Sequence, residues 1–231
     1  MDDLKNNATD IRASLYKGIT GAIPIAGPII SEIISSIIPN QRIDRISVFL
    51  GQLNERVSQN EQETLKINKY FIDLLEDGII QASRALSDRR NKYIAIFLSK
   101  SKNITEENYT AKKKLFHILE ELTDRDIDVL LGIKENGYWK TSMEHTSPSI
   151  SIGTYNSMSE DEKYENDLQS SLLDSNITTL ERHNLISPIH EKEDHDYGSD
   201  NNHIDDETGM PIITDYTHTV LGKTLLNSIF E

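Results

Sequence analysis

Histidines and aspartates crowd one stretch of the chain. His190, His195 and His203 stand among Asp194, Asp196, Asp205 and Asp206. Imidazole and carboxylate groups are donors for a divalent metal. The run "HEKEDHD" is not the helical zinc-protease pattern, in which two histidines one turn apart share a face with a glutamate. Its spacing matches no defined site, so it reads as an acidic loop, with neither metal nor cofactor assigned. Cysteine is absent, which excludes disulfides, thiolate catalysis and cysteine metal ligands. No Ser-His-Asp order, phosphate-binding glycine loop or pair of catalytic carboxylates stands out. No residue is therefore given a catalytic role, and the expectation is a non-enzymatic protein.

The second chemical feature is a block of cations: Arg84, Arg89, Arg90, Lys92, Lys100, Lys102, Lys112, Lys113 and Lys114. Residues 83–114 hold nine Lys and Arg against three carboxylates, in a chain whose net charge is −14. Such a block can hold a phosphate, a nucleic acid or an anionic lipid. It can equally be a solvated face that pairs with the chain's own acidic surface. Residues 187–215 carry nine carboxylates and one cation. An acidic surface repels nucleic acid at long range, and aromatic residues near the block are few (Tyr93, Phe97, Tyr109). Arg84, Arg89, Arg90, Lys92, Lys112, Lys113 and Lys114 form a candidate anionic-ligand patch, with nucleic acid the less favoured partner.

The third feature is apolar. "GITGAIPIAGPIISEIISSIIPN", residues 18–40, is the most apolar run in the chain. Pro24 breaks any helix begun at Gly18. Pro28 suits the first turn of a helix that ends at Pro39. Within it Ile29, Ile30, Ile33, Ile34, Ile37 and Ile38 follow the helical period, with Ser31, Glu32, Ser35 and Ser36 opposite. Together with Ile23 and Ile25 these residues form the candidate interaction or membrane segment. Three readings stand: a helix buried in a helical core, which is preferred, a membrane-inserting segment, and an interface in a homo-oligomer. The length suffices to span a bilayer, but Glu32 costs about 2.5–3.5 kcal/mol at mid-bilayer. The first residues, "MDDLKNNATD", lack the basic start of a secretory signal. The expected location is cytoplasmic, with membrane association if residues 18–38 insert.

These features need elements to position them. Ile43, Ile46, Leu50, Leu53 and Val57 alternate steps of three and four. They predict a long helix from near Gln41, bent near Asn60 and interrupted at Gly78. Residues 79–100 read as two helical segments, with Ser87 or Asp88 as N-cap. Thr105 and Asn108 open a further helix through "KKKLFHILEEL". Thr123 and Asp126 form a shortened capping box for the next one. Residues 140–159 read as loop, 160–184 as helix and 187–212 as a long acidic loop. "PIITDYTHTVLGKTLLNSIFE" reads as a short strand and a last helix capped near Thr217 or Thr219. The fold class is mostly α. Residues 1–114 form an N-terminal helical bundle containing the Ile/Gly/Pro-rich segment. Residues 115–231 form an α+β region.

That second region resembles a winged-helix domain. Helices ending in "LERHNLI" are followed by a loop, a strand and "YTHTVLGKTLLNSIF", in which Thr219, Gly222 and Leu225 match the spacing of the returning helix. The resemblance implies that Gly222 permits close helix packing. The whole chain resembles the small bacterial proteins of the abortive-infection alpha family, through "IPIAGPIISEII", "RIDRISVFLGQLNERV", "RALSDRRNKYIAIFL" and "LERHNLI". That resemblance implies a role in phage defence or a related stress response, through a protein partner whose identity is unknown. It carries no catalytic residues. The alternatives are a membrane-acting effector that inserts residues 18–38 and a DNA-binding winged-helix regulator.

If Ile33 packs in a helical core, Ile33→Asp buries an unpaired charge. Circular dichroism should then show the N-terminal helices unfolded. A folded variant that no longer permeabilises liposomes, where the parent does, would support the membrane reading instead.

Overall fold

The computed structural model describes residues 42–58, 61, 64–65, 67–133, 152–190, 204, 210 and 213–231. Among these the chain is mostly helical, with one small two-stranded antiparallel sheet. It forms two compact units, one of Met1–Glu121 with Asn227–Glu231 and one of Leu122–Leu226. The units part next to Thr123, which caps a new helix, whereas residues 114 and 115 lie within a continuous one.

In the first unit α1 (Ile43–Asn54) buries Ile46, Phe49, Leu50 and Leu53, and Val57 follows it into the core. The long helix expected from Gln41 stops at Asn54, where Arg56 N–H turns back to the Leu53 carbonyl at 3.0 Å. Beyond Val57 the seam offers the polar Asn60 and Thr64; Leu65, off that seam, is buried. A separate helix, α2 (Lys69–Arg84), begins at Asn68, whose side chain accepts from the Tyr70 and Phe71 N–H groups. Its amide also donates to the Ile104 carbonyl at 3.0 Å. Gly78 does not interrupt α2. A Cβ there would lie 2.8 Å from Leu98 Cδ1 and 3.5 Å from Ile94 and Phe116, so this glycine serves close packing.

Ser87 caps α3 (Asp88–Ser99) by accepting from Arg90 N–H at 3.1 Å. Every residue from Tyr93 to Leu98 is buried, and α3 packs against both α1 and α2. In α4 (Glu106–Glu121), Asn108 accepts from Thr105 N–H at 2.9 Å in the first turn. Leu115, Phe116, Ile118 and Leu119 point inward from α4. Phe97 and Phe116 stack with centroids 4.7 Å apart and planes 21° apart.

The second unit opens with α5 (Asp124–Gly132), under a complete Thr123–Asp126 capping box. Part of the expected 140–159 loop is instead a short helix, α6 (Ile152–Ser157). It is tied to the next helix by the Tyr155 hydroxyl, which donates to Asp167 at 2.9 Å. That helix is α7 (Glu160–Arg182), again with a capping box, from Ser159 and Glu162. It packs on α5 and on the first strand.

The end of α7 is a Schellman motif. Asn184 N–H bonds the Glu181 carbonyl at 2.7 Å and Leu185 N–H bonds the Leu180 carbonyl at 2.9 Å. Asn184 takes the left-handed φ of 54° that the motif needs. Leu180 and Leu185, the apolar pair of the motif, are both fully buried. The chain then enters β1 (Ile186–His190), so the first residues of the expected acidic loop are strand. β1 pairs antiparallel with β2 (Ile213–His218), Ile186 opposite His218, with an irregularity between Ile189 and His190. Pro188 is accommodated because a two-stranded sheet leaves one side of each strand unpaired.

Thr219 joins the strand to α8 (Val220–Ile229). Its hydroxyl accepts from Gly222 N–H at 3.0 Å and donates to the Asn184 carbonyl at 2.6 Å. Its N–H donates to the Leu185 carbonyl at 3.0 Å. This brings α8 so near the turn that a Cβ on Gly222 would stand 2.1 Å from the Leu185 carbonyl oxygen. Backbone cannot yield there cheaply. Gly222→Ala should therefore destabilise the protein by about 2–4 kcal/mol despite the better helix propensity of alanine. Urea unfolding measures it, and a neutral result would mean that the turn and α8 can move apart.

Candidate functional site

The cations that form one block in sequence are distributed over several sites in the first unit. The most complete lies between α2 and α4. Asp73 and Asp77 are one turn apart on α2, as are Tyr109 and Lys113 on α4. Lys113 Nζ lies 2.5 Å from Asp73 and 2.6 Å from Asp77, and the Tyr109 hydroxyl donates to Asp73 at 2.8 Å. The Tyr109 ring rests against Tyr70, centroids 5.0 Å apart. Partial burial works against the Asp73 charge, but hydrogen bonds from Lys113 and Tyr109 outweigh it and lower the Asp73 pKa. Lys113 is likewise opposed by burial and raised by its bonds to Asp73 and Asp77. The arrangement is an interhelix latch whose cation is already shared by two carboxylates.

Other members of the block have partners of the same kind. Arg84 pairs with Glu120 at 3.3 Å, and Arg90 donates to the Leu119 carbonyl at 2.9 Å. Lys102 meets Glu61 at 2.5 Å. The Lys102 hydrogen bond, followed by those from the Ser58 N–H and hydroxyl, lowers the Glu61 pKa to about 2. Lys112 is half-buried with its ammonium 5.6 Å from the centre of the Phe97 ring. Burial, then the neighbouring Lys100, lowers its pKa. Arg89 and Lys114 are exposed.

Lys92 and Lys100 hold the final residues of the chain. Glu231 lies 2.8 Å from Arg56 and 3.7 Å from Lys92. Lys100 donates to the Asn227 carbonyl at 2.8 Å and to that of Phe230. The Phe230 ring meets Tyr93 edge-on at 5.2 Å. A cation beside the last carbonyls of a helix is favourably placed against the helix dipole.

The second unit presents a different surface. α7 carries seven carboxylates and two cations, and only Ile177 and Leu180 on it are buried. Arg182, His183 and Asn184 stand where the helix ends. Arg182 is exposed, His183 is the C-cap and Asn184 supplies the left-handed turn. Tyr164, Leu168 and Leu172 lie one turn apart along α7 and are exposed by 70%, 38% and 49%.

The candidate interaction or membrane segment, Ile23, Ile25, Ile29, Ile30, Ile33, Ile34, Ile37 and Ile38, lies outside the described residues. So do His195, His203, Asp194, Asp196, Asp205 and Asp206; His190 is exposed at the end of β1. Among the described residues no helix is long and apolar enough to cross a membrane, and no three metal-ligating side chains gather.

Asp73, Asp77, Glu61, Arg56 and Glu231 are absent from the sequence reading of the block, and Tyr109 enters it only as a nearby aromatic residue. The four-residue spacings of Asp73 with Asp77 and of Tyr109 with Lys113 were a legible sign that each pair shares a helix face. Nothing in the spacing tells which two faces meet. The chain matches no protein family, no curated protein and no solved structure.

The latch has a pH signature. Asp73, with a lowered pKa, stabilises the fold above its ordinary value of 3.8, and that contribution is lost as pH falls through its folded value. Lys113, with a raised pKa, contributes below 10.5 and loses its contribution as pH rises through its folded value. Asp73→Asn should cost less than about 1 kcal/mol at pH 7, because solvent screens a half-exposed pair. At acid pH, below 3.8, it should cost less, the difference falling away as pH approaches the folded value of Asp73. Urea unfolding at both pH values checks this; an equal cost at both would mean that packing, not charge, holds the latch.

Proposed function

We propose that the chain is a non-enzymatic protein-interaction protein, and that its setting is the bacterial phage defence or stress response that its resemblance implies. The observation that carries the first half is the internal use of the basic block. Lys113, Arg84, Lys92 and Lys102 face carboxylates of the same unit at 2.5–3.7 Å. A phosphate or an anionic headgroup would have to displace those partners. The setting rests on the resemblance of the quoted segments.

We also propose a winged-helix arrangement for the second unit. α5, α7, the β1–β2 pair and the Thr219-capped α8 follow in the required order, and α7 then stands where a DNA-reading helix would. Its seven carboxylates argue that this helix meets protein rather than phosphate. The DNA-binding alternative is correspondingly weaker. The membrane alternative depends on residues 18–38.

The full chain should produce no shift of duplex DNA at about 0.15 M salt and should not sediment with anionic vesicles. Binding that disappears when Lys112, Lys113 and Lys114 are changed together to Gln would overturn the reading. Reciprocal affinity capture from the native host should return a reproducible protein partner. Failure of both capture directions would count against an interaction role.

A further inference from the structure

We propose that the outer face of α7 is the docking surface, and that its occupant is a basic amphipathic helix of a partner protein. The inference rests on the interaction reading above and names the partner's chemistry.

With 3.6 residues per turn, Tyr164, Leu168 and Leu172 fall within about 80° of one another. They lie opposite Asn166, Ser170, Leu173 and Ile177, the positions that turn inward on the same helix. α7 thus carries an exposed apolar stripe on the side opposite the face that packs against its own fold. Ile67, Leu86 and Val220 are also highly exposed, but each stands singly at a helix end. Only on α7 do large exposed apolar side chains follow a regular four-residue step among the described residues. That step provides the anchors of helix-in-groove recognition.

Charge selects the occupant. Asp161 sits at the N-terminal end of the stripe and Glu165, which accepts from Gln169, borders one side; Glu160, ion-paired to Lys163 at 2.9 Å, and Asp167, which accepts from Tyr155, border the other, and all four are exposed. An apolar strip rimmed by carboxylates complements a helix with leucine-like side chains on one edge and Lys or Arg beside them. A second copy of this chain is a poor match. In an antiparallel pair of α7 helices the acidic N-terminal half would face a half whose only cation is Arg182. A nucleic acid or an anionic membrane is repelled by the same rim.

The test uses the full chain and a fluorescein-labelled Leu/Lys amphipathic peptide of roughly eighteen residues, enough to cover a stripe about 12 Å long. Fluorescence anisotropy should show saturable binding. Leu168→Ser with Leu172→Ser should weaken it by about tenfold while circular dichroism stays unchanged, since both positions are exposed. Raising salt from about 0.05 M to about 0.5 M should also weaken it by several-fold. A Leu/Glu peptide of the same pattern should not bind. Peptide binding that the serine variant leaves intact would reduce the effect to general attraction between acid and base and overturn the proposal. Absence of binding would overturn it too, and would leave the interaction reading to its own capture experiment. Gel filtration that shows a dimer in the parent and a monomer in the serine variant would replace the proposed occupant with a second copy.

Discussion

A helix with no exposed side must be enclosed, and α3 is such a helix from Tyr93 to Leu98. Six consecutive buried residues cover more than a full turn and a half, so every direction around that part of the axis meets protein. The condition fixes much of the first unit. α1 and α2 pack directly on α3, and Phe116 of α4 stacks on Phe97. Gly78 lacks a side chain because Leu98 and Ile94 already occupy that space. The polar residues of α3 are displaced to its ends, where Ser87 caps one turn and Lys92 and Lys100 lie at the edges of the buried segment.

That displacement explains the fate of the basic block. A cation at the rim of an enclosed helix is close to low-dielectric protein and gains from a carboxylate nearby. Lys113, Arg84 and Lys102 each meet one across a helix boundary, and Lys92 meets the Glu231 carboxylate. Lys112 keeps an aromatic ring instead, and partial burial, then the neighbouring Lys100, lowers its pKa. Individual exposed pairs contribute little. Their value here is positional: they set which turn of α2 stands beside which turn of α4. Among the described residues Lys113, Arg84, Lys92 and Lys102 thus fasten elements of the first unit, while Arg89 and Lys114 stay exposed.

The legible parts of the sequence were those governed by neighbours along the chain. The Thr123 box, the Ser87 cap and the Thr219–Gly222 bond each depend on residues three positions apart, and each is found where the residue types indicate. Ile46, Leu50, Leu53 and Val57 were recognisable as one buried seam. The end of that helix at Asn54 was not, because three-four spacing continues through polar positions that no core receives. Gly78 read as an interruption because its neighbour, Leu98, lies twenty residues away in sequence. The two residues on either side of Lys113's bond are likewise separated by a whole helix. The Ile-rich segment and, apart from His190, the named residues of the His/Asp stretch lie outside the described residues.

The two units differ in how they handle apolar surface. In the first, the large side chains of four helices converge, and aromatic contacts such as Phe97 with Phe116 and Tyr93 with Phe230 occupy the space between them. In the second, α7 is 23 residues long but buries only Ile177 and Leu180, near its C-terminal end. There the Schellman turn, the Thr219 bridge and the close approach of Gly222 fix the helix to the strand pair. The N-terminal half has the capping box, and the Tyr155–Asp167 bond at the edge of the stripe. A helix fixed at one end and held by side-chain bonds at the other keeps its outer stripe in a defined orientation without covering it. Exposed apolar residues on a rigid helix lose little conformational freedom when a partner covers them, which lowers the entropic cost of docking. The same residues on a loose segment would have to be ordered first. The physical case for α7 as an interaction element therefore rests as much on the Thr219–Asn184–Leu185 junction that anchors it as on Tyr164, Leu168 and Leu172 themselves.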